Sequence, residues 1–326
     1  MVRNILVTGG AGYIGSHCVA RLLRDGIEPV VIDSLATGHA DAVGAGARFY
    51  AGSLLDLEFL RDVFAKETIE TVIHFAAFSL AGESVEDPQK YFGNNVGGMM
   101  NLLRVMREFS ADTLIFSSTA AVYGEPESTP IVEEHPQRPI NPYGESKLAC
   151  ERMMKWTAQA HGLRYCALRY FNVAGAFPGG SVGERHNPET HIIPNILKAA
   201  LRDESVTIFG NDYPTPDGTC IRDYIHVEDL IDAHLKALGY LRQGGESRAF
   251  NLGIGRGYSN LEILQTARAV TGLPIPSKFG PRRPGDPAVL IASGGAARRG
   301  FGFDPKYTLE DMVRDAWHFE KNSLEE

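Results

Sequence analysis

Short apolar runs alternate with amphipathic stretches through the first half of the chain. The runs are three to five residues long, and the stretches between them space their apolar residues as a helix does. Strands that are apolar on both faces belong to a parallel sheet with helices on both sides. The pattern therefore predicts an α/β fold with a doubly wound parallel sheet. The predicted strands lie at 5–7, 29–32, 49–51, 71–75, 113–117 and 165–169, and the predicted helices at 15–24, 59–64, 95–106 and from 143 onward.

The alternation breaks after Asn172. The stretch 178–188 is rich in glycine and proline and is predicted to be a loop. We therefore predict one domain over 1–172 and a smaller C-terminal α/β region over 173–322 that is interleaved with the first. In the second region we expect helices at 193–201, 227–241 and 260–271 and short strands at 206–209 and 249–252.

Composition narrows the class of protein. Of 326 residues, 44% are hydrophobic and 22% are charged, which is ordinary for a globular protein. With 32 Lys and Arg against 40 Asp and Glu, the net charge is −8, so bulk charge favours neither nucleic acid nor an anionic membrane as a partner. No apolar run reaches the ~18–20 residues of a membrane span, and the first residues lack the pattern of a signal peptide. Any bound phosphate must be held by local donors.

The four cysteines are isolated from one another along the chain, at Cys18, Cys150, Cys166 and Cys220. None forms a C-x-x-C pair, so they predict neither a zinc site nor a redox motif, and we expect no metal. Single cysteines of this kind are usually small buried side chains in a reducing compartment. We therefore expect a cytoplasmic protein.

A glycine-rich turn connects the first predicted strand to the first predicted helix. Gly9, Gly12 and Gly15 follow a G-x-x-G-x-x-G spacing, which allows a tight turn, close approach of a pyrophosphate and close packing of helix on strand. Asp33 ends the second strand, 18 residues beyond Gly15. A carboxylate there accepts both hydroxyls of an adenosine ribose and repels a 2′-phosphate. The turn predicts a Rossmann-type dinucleotide site that prefers NAD to NADP; the alternative is that Asp33 only caps a turn.

A second group of residues has the composition of a catalytic site. Tyr143 and Lys147 lie at i and i+4 of a predicted helix and therefore share one face. Thr119 follows the fifth predicted strand, at the edge where parallel sheets bind ligands. The three side chains are predicted to meet there. An incidental surface Tyr–Lys pair is the alternative explanation.

Together these residues resemble the extended short-chain dehydrogenase/reductase family, and the resemblance covers almost the whole chain. Within that family the chain is similar to the members that invert carbon 4 of UDP-hexoses. The segments that carry this likeness are H-F-A-A at 74–77, G-E-S-V at 82–85, N-N-V at 94–96, N-P-Y-G-E-S-K at 141–147, L-R-Y-F-N at 168–172, F-G-N-D-Y at 209–213, D-G-T at 217–219, R-D-Y-I-H-V at 222–227 and R-P-G-D at 283–286.

The resemblance implies an NAD-dependent isomerase of carbohydrate metabolism. Tyr143, as a phenolate, would remove the 4′-hydroxyl proton while the nicotinamide takes the hydride; the 4-keto sugar would rotate, and hydride would return to its other face. A free Tyr titrates near pH 10, so its pKa must fall by roughly three units. We expect the charges of Lys147 and of the oxidised nicotinamide to lower it, with Thr119 sharing the proton.

The resemblance also implies a set of NAD contacts. Ser34 stands where Asn is usual, and Ser79 stands where some members carry a phosphate-binding Lys. The implied cofactor residues are Gly9, Gly12, Tyr13, Ile14, Gly15, Asp33, Ser34, Leu35, Ala36, Thr37, Gly38, Asp56, Leu57, Phe75, Ala76, Ala77, Asn94, Thr119, Tyr143, Lys147 and Tyr170.

The implied partner is a UDP-sugar. Phe209 would stack on the uracil beside Thr207, and Arg222 and Arg283 would neutralise the diphosphate. Leu290, four positions after Asp286, would border the hexose and admit some 2-acetamido sugars. The implied substrate residues are Thr119, Tyr143, Asn172 (to a diphosphate oxygen), His191 (a position that is Asn in some members), Thr207, Phe209, Arg222, Arg283, Asp286 (to the uridine ribose) and Leu290.

Two alternatives remain at this stage. A nucleotide-sugar 4,6-dehydratase also oxidises carbon 4, but its Thr is followed by Asp-Glu, whereas Ala120-Ala121 follow Thr119 here. A non-catalytic NAD-sensing protein would be expected to lose the Tyr or the Lys. Family members pair through two helices per subunit, which implies a homodimer through the segments near 95–108 and 143–160.

Overall fold

A computed structural model describes residues 4–283 and 286–325. Seven parallel strands form its main sheet, in the order β10-β6-β5-β4-β1-β2-β3. This confirms the predicted α/β class and the parallel sheet. The strands of this sheet are β1 (Asn4–Thr8), β2 (Val30–Asp33), β3 (Arg48–Ala51), β4 (Ile69–His74), β5 (Thr113–Thr119), β6 (Arg164–Tyr170) and β10 (Arg248–Leu252).

Helices cover both faces of this sheet because side chains alternate between the faces along each strand. Ile5 and Val7 face a core layer with helices α1 and α8, while Leu6 faces the opposite layer with α2, α5 and α6. A π-helical turn at Phe92–Val96 leads into α5. The first eight helices are α1 (Tyr13–Arg24), α2 (Leu57–Glu67), α3 (Ala81–Glu86), α4 (Pro88–Tyr91), α5 (Gly97–Glu108), α6 (Pro142–His161), α7 (Ile192–Arg202) and α8 (Val227–Arg242).

A second core joins α7 to two later helices and to short strands. β9 pairs with β7, β11 and β13, and β8 pairs with β12. The sequence analysis missed β9, whose I-R-D-Y-I-H pattern is too polar to predict a strand. The remaining elements are β7 (Asn172–Ala174), β8 (Val206–Phe209), β9 (Ile221–His226), β11 (Gly257–Ser259), α9 (Asn260–Thr271), β12 (Ser277–Gly280), β13 (Val289–Leu290), α10 (Gly295–Phe301) and α11 (Leu309–Glu325).

The two predicted regions share elements. β10 comes from the later part of the chain, yet it pairs in parallel with β6 at the edge of the main sheet. α8 packs on the same sheet through residues such as Leu230 and Ile231. The boundary after residue 172 therefore stays a prediction. Among the helices that the structure describes, none is long and apolar enough to cross a membrane.

Candidate active site

A cavity opens at the carboxyl ends of β1 and β4. The strand order reverses there, since β1 lies between β2 and β4, and ligands of open α/β sheets bind at such a reversal. Its lining combines the glycine turn with the ends of β2, β3 and β4. The lining residues are Gly9, Gly12, Ile32, Asp33, Ser34, Ala36, Thr37, Gly52, Ser53, Leu54, Phe75, Ala76, Ala77, Phe78 and Asn94.

The glycine turn leaves room on the cavity side only. A Cβ on Gly15 would lie 2.0 Å from the carbonyl oxygen of Gly9, and a Cβ on Gly9, where φ is +74°, would lie 2.5 Å from the backbone nitrogen of Ala76. A Cβ on Gly12 would find its nearest atom 3.5 Å away. Gly12 is the N-cap residue of α1 and has no side chain that could accept hydrogen bonds from the helix. The first N–H groups of α1 are therefore available to an anionic ligand.

Asp33 is held by the backbone at the end of β2. Its two carboxylate oxygens accept hydrogen bonds from the N–H of Ala11 at 3.0 Å and from the N–H of Leu35 at 2.8 Å. Each oxygen has a further lone pair, and the residue lines the cavity. Asp33 therefore caps a turn, as the alternative held, and it also faces the cavity, while its contact with a ribose stays a prediction.

Two of the implied cofactor residues have another local role. Asp56 is the N-cap of α2 and accepts a hydrogen bond from the N–H of Phe59 at 3.0 Å, and Leu57 begins that helix. The same loop reaches the cavity through Gly52, Ser53 and Leu54, which the sequence analysis did not name. Their place directly after β3 was the sequence feature that could have identified them.

Other implied cofactor residues are not among those that line the cavity. The Tyr13 hydroxyl donates to the carbonyl of Gly175 at 2.6 Å, and Ile14 follows it in α1. A Cβ on Gly38 would lie 2.9 Å from Ala11, so this loop packs on the glycine turn. The Tyr170 hydroxyl is 2.7 Å from Ser117 Oγ. The cofactor roles of these residues stay predictions.

Thr119 and Tyr143 meet at the carboxyl end of β5. Asn141 caps α6 by accepting from the N–H of Gly144 at 2.9 Å, which sets Tyr143 in the first turn of the helix. Burial raises the pKa of Tyr143, and a hydrogen bond between its hydroxyl and Thr119 opposes that rise. The structure thus brings together two of the three predicted catalytic side chains, but the protein alone does not favour the phenolate.

Lys147 is directed at the backbone of β5. Its ammonium donates to the carbonyl oxygen of Ser117 at 2.8 Å and lies 4.8 Å from the ring centre of Phe116. Burial lowers the pKa of Lys147 to about 8. The expectation that Lys147 and the oxidised nicotinamide together lower the pKa of Tyr143 stays a prediction, since it concerns the protein with NAD bound.

A buried ion pair fixes the helix that carries Tyr143. Glu151 of α6 accepts from Arg169 Nε at 2.9 Å and from its Nη2 at 2.5 Å, and also from Ser118 Oγ at 2.5 Å. Ser118 and Arg169 are register partners on β5 and β6. Asn95 adds a second tie, since its amide bonds the backbone of Phe78 and Ser146 Oγ, each at 3.0 Å. Arg169 and Asn95 stood in the family-like segments, but the sequence assigned them no role.

The implied substrate residues cluster around β8, β9 and β13. Arg222 and Asp286 form an ion pair with each other. The Arg283 guanidinium lies 4.5 Å from the ring centre of Phe209, on the strand that also carries Thr207. Pro284 and Gly285 of the R-P-G-D segment lie outside the described residues.

Leu290 pairs with Arg222 across β13 and β9. It packs against a small cluster that includes Val122, shortly after Thr119, and Leu148, next to Lys147. Asn172 opens β7, and His191 precedes α7 with Nδ1 against Glu184. The substrate roles of these residues stay predictions.

The sheet reversal, the glycine turn and the Thr119–Tyr143 contact define a Rossmann-type nucleotide-binding protein with a site like that of short-chain dehydrogenases/reductases. The sequence profile of the NAD dependent epimerase/dehydratase family matches residues 5–253. The chain belongs to this family, and the predicted family and its cofactor, NAD, are confirmed.

Individual relatives match over nearly the full length. The chain is 55% identical over 324 residues to the UDP-glucose 4-epimerase of Lacticaseibacillus casei, covering 99% of this chain and 98% of that protein. It is similar to the crystal structure of UDP-glucose 4-epimerase from Brucella ovis in complex with NAD, with 48% identity, a TM-score of 0.94 and 98% of each chain covered. It is also similar to that from Bifidobacterium longum in complex with NAD+ and UDP, with 35% identity, a TM-score of 0.92 and coverage of 98% and 99%.

Proposed function

We propose that this chain is a UDP-glucose 4-epimerase that interconverts UDP-glucose and UDP-galactose through a transient 4-keto sugar. The observation that carries the proposal is the Thr119–Tyr143 contact at the carboxyl edge of the sheet whose neighbouring strands form the glycine-lined cavity. Relatives at 55% and 48% identity over almost the whole chain are UDP-glucose 4-epimerases.

The residues present fit NAD. The open side of Gly12 and the free N–H groups at the start of α1 suit a pyrophosphate. Asp33 suits the adenosine ribose, and its negative charge disfavours the 2′-phosphate of NADP. Phe75, Ala76 and Asn94 line the opposite wall. We infer that NAD stays bound through each cycle, since epimerisation has no net redox change.

Side chains of this protein accept and share the proton of the 4′-hydroxyl. When bound, NAD supplies the hydride acceptor and a positive ring. Burial raises the pKa of Tyr143, so the phenol needs that added positive charge nearby to become the base. Thr119 is placed to share the hydrogen bond to the same oxygen, and Lys147 organises the end of β5 through the Ser117 carbonyl.

The alternatives are less favoured by the residues beside Thr119. Ala120 and Ala121 form a short 3₁₀ turn there, and the Ala121 N–H donates to Thr119 Oγ1 at 3.2 Å. These alanines cannot provide the acid and base that a 4,6-dehydratase needs for elimination. A non-catalytic NAD sensor has no use for Tyr143 and Lys147 in this arrangement.

Leu290 supports a broader substrate range. It lies between the Arg222 strand and the cluster next to Thr119, where the hexose of a UDP-sugar would sit. Leu is smaller than Tyr and larger than Ser, so the pocket is intermediate in size. We propose weaker turnover of UDP-N-acetylglucosamine beside efficient turnover of UDP-glucose.

We also propose a cytoplasmic homodimer. Met100 on α5 and Trp156 on α6 are 58% and 70% exposed, which suits a helical interface. Leu102, Leu103, Met106 and Met154 are buried in the chain's own core instead. The four cysteines are free and buried, as expected in a reducing compartment.

The test is incubation of the purified holoenzyme with UDP-galactose and no added NAD, followed by sugar analysis. UDP-glucose should form, and NAD rather than NADP should restore any activity lost on purification. A 4-keto-6-deoxy product would indicate the dehydratase instead. A change in bound NADH without any change in the sugar would indicate a sensor.

A further inference from the structure

The loop between β7 and α7 carries a group of side chains that the proposed reaction does not use as a set. Glu184, His186, Glu189 and His191 follow an E-x-H-x-x-E-x-H spacing within eight residues. One ligand atom from each side chain lies within 4.8 Å of the other three. The sequence analysis searched for cysteine pairs and therefore did not find this histidine–glutamate cluster.

The distances within the cluster suit a common ion. His186 Nδ1 lies 2.8 Å from Glu184 Oε1 and 3.9 Å from Glu189 Oε1. His191 Nδ1 also lies 3.9 Å from Glu189 Oε1 and contacts Glu184 Oε1. Tetrahedral zinc with bonds of about 2.0–2.1 Å separates its ligand atoms by about 3.4 Å, which falls between these values.

The orientation of His186 is a second, independent observation. Its Nδ1 atom is buried and has no partner in acceptable hydrogen-bond geometry, although a carboxylate oxygen is 2.8 Å away. Two atoms that bind the same ion lie close together, but each directs its lone pair at the ion and not at the other atom. The Glu189 carboxylate is held in place by the N–H groups of Thr190 at 2.8 Å and His191 at 3.0 Å, which donate to its Oε1.

Buried carboxylates lie in and beside the cluster, and one lysine faces them. The side chains of Glu184 and Glu189 are each 6% exposed, and that of Glu320 is 10% exposed. Lys198 lies 3.4 Å from Glu189 and 3.7 Å from Glu320. A divalent cation would neutralise the two cluster carboxylates without protonated histidines.

We propose that Glu184, His186, Glu189 and His191 bind one divalent cation, with zinc preferred. Imidazole nitrogens and carboxylate oxygens in a set of four are zinc ligands, and four protein ligands complete a structural site. Coordination through Nδ1 leaves Nε2 of His191 for its predicted contact with substrate.

The contacts between this loop and the rest of the protein indicate the role of the ion. The His186 ring packs edge-to-face on Tyr13, the first residue of α1, with centroids 6.3 Å apart. Arg185 binds Asp41 through two contacts of 2.8 and 2.9 Å, and its carbonyl contacts His39 Nε2 at 3.0 Å. The ion therefore fixes this loop across the elements that follow β1 and β2, and its role is structural.

The experiment uses untagged, full-length holoenzyme dialysed against EDTA and titrated with ZnCl₂ against a chromophoric chelator, with metal content measured by mass spectrometry. We expect one zinc per chain. His186→Gln should weaken zinc binding by about tenfold or more, since it removes a ligand and not only an outer partner. His161→Gln, at the exposed end of α6, is the matched control and should bind zinc as the wild type does.

A measurement on the wild type alone covers the case in which His186→Gln does not fold. Zinc should raise the melting temperature of the EDTA-treated protein, because it binds the folded state. An unchanged melting temperature, or equal zinc retention by the wild type and a folded His186→Gln variant, would mean that the cluster is only an ion-pair network and would overturn the proposal.

Discussion

The two halves of the candidate site are built by different means. The cofactor half consists of the cavity residues at the ends of β1 to β4, and it presents mainly backbone, short side chains and one carboxylate. The predicted substrate half consists of Thr207, Phe209, Arg222, Arg283, Asp286 and Leu290, and its side chains come from three short strands and the loop before β13.

This difference follows from the distances along the chain. Gly9, Gly12 and Gly15 form the cofactor turn within seven residues, so a local motif specifies it. The Arg222–Asp286 pair joins residues 64 positions apart, and it depends on β13 pairing with β9. The cofactor half should therefore tolerate side-chain changes but not added atoms on its glycines, whereas the substrate half should change its specificity with single side chains.

The largest expected effect separates chemistry from binding. Tyr143→Phe should lower kcat by about 10²–10⁴-fold, the usual contribution of an acid/base group, because it removes the group that takes the 4′-proton. UDP-sugar binding should persist, because the substrate half is untouched. Steady-state kinetics and calorimetric titration measure the two quantities.

Tyr240→Phe, on α8 and not among the residues that line the cavity, is the matched control and should keep wild-type kcat. If Tyr143→Phe retains more than about a tenth of kcat, a loss below about 1.4 kcal/mol, the assigned role is wrong.

The next effect concerns the support beneath Tyr143. Glu151→Gln leaves the buried Arg169 without its charged partner and should lower the free energy of unfolding by about 3–5 kcal/mol. Urea denaturation followed by circular dichroism measures it. Glu127→Gln, which breaks an exposed pair with Arg138, should have a far smaller effect because water screens that pair. Equal losses of unfolding free energy in both variants would show that the buried ion pair does not stabilise the position of α6.

The two glycines of the turn test the cofactor half directly. Gly15→Ala places a methyl 2.0 Å from the Gly9 carbonyl and should cost about 1–3 kcal/mol of stability through overpacking. Gly12→Ala has room within the protein, so its stability should be nearly unchanged while NAD affinity falls by about tenfold. Thermal unfolding of the apoprotein and NAD titration measure the pair. Unchanged NAD affinity in Gly12→Ala would contradict the proposal that the pyrophosphate of NAD binds at this turn.

The last effect changes specificity and not overall activity, and it concerns the substrate half. Leu290→Tyr should reduce kcat/KM for UDP-N-acetylglucosamine relative to UDP-glucose by about 5- to 150-fold, since it fills the space for the acetamido group and such overpacking costs about 1–3 kcal/mol. Leu290→Ser should raise the relative activity on the acetamido sugar. Steady-state kcat/KM for both sugars on the three proteins decides the matter. A shift by the same factor for both sugars would show that Leu290 only packs behind the pocket.

The fold was largely predictable because its determinants are local. Apolar runs specified six strands of the main sheet, and the helical face that joins Tyr143 to Lys147 followed from their i, i+4 spacing. The seventh strand, β10, was predicted as a strand, but its place beside β6 depends on a contact between distant segments. Short polar strands such as β9 are stabilised by their partners, so periodicity did not reveal them.

What the sequence by itself determined is the α/β class, the glycine turn and the identity of the residues available for chemistry. Only the tertiary structure decided which partner each of them has. Lys147 bonds the Ser117 carbonyl, burial raises the pKa of Tyr143, and four side chains of the loop at 184–191 converge. Turns and helix faces depend on neighbours along the chain, whereas desolvation and long-range contacts depend on how separate segments pack.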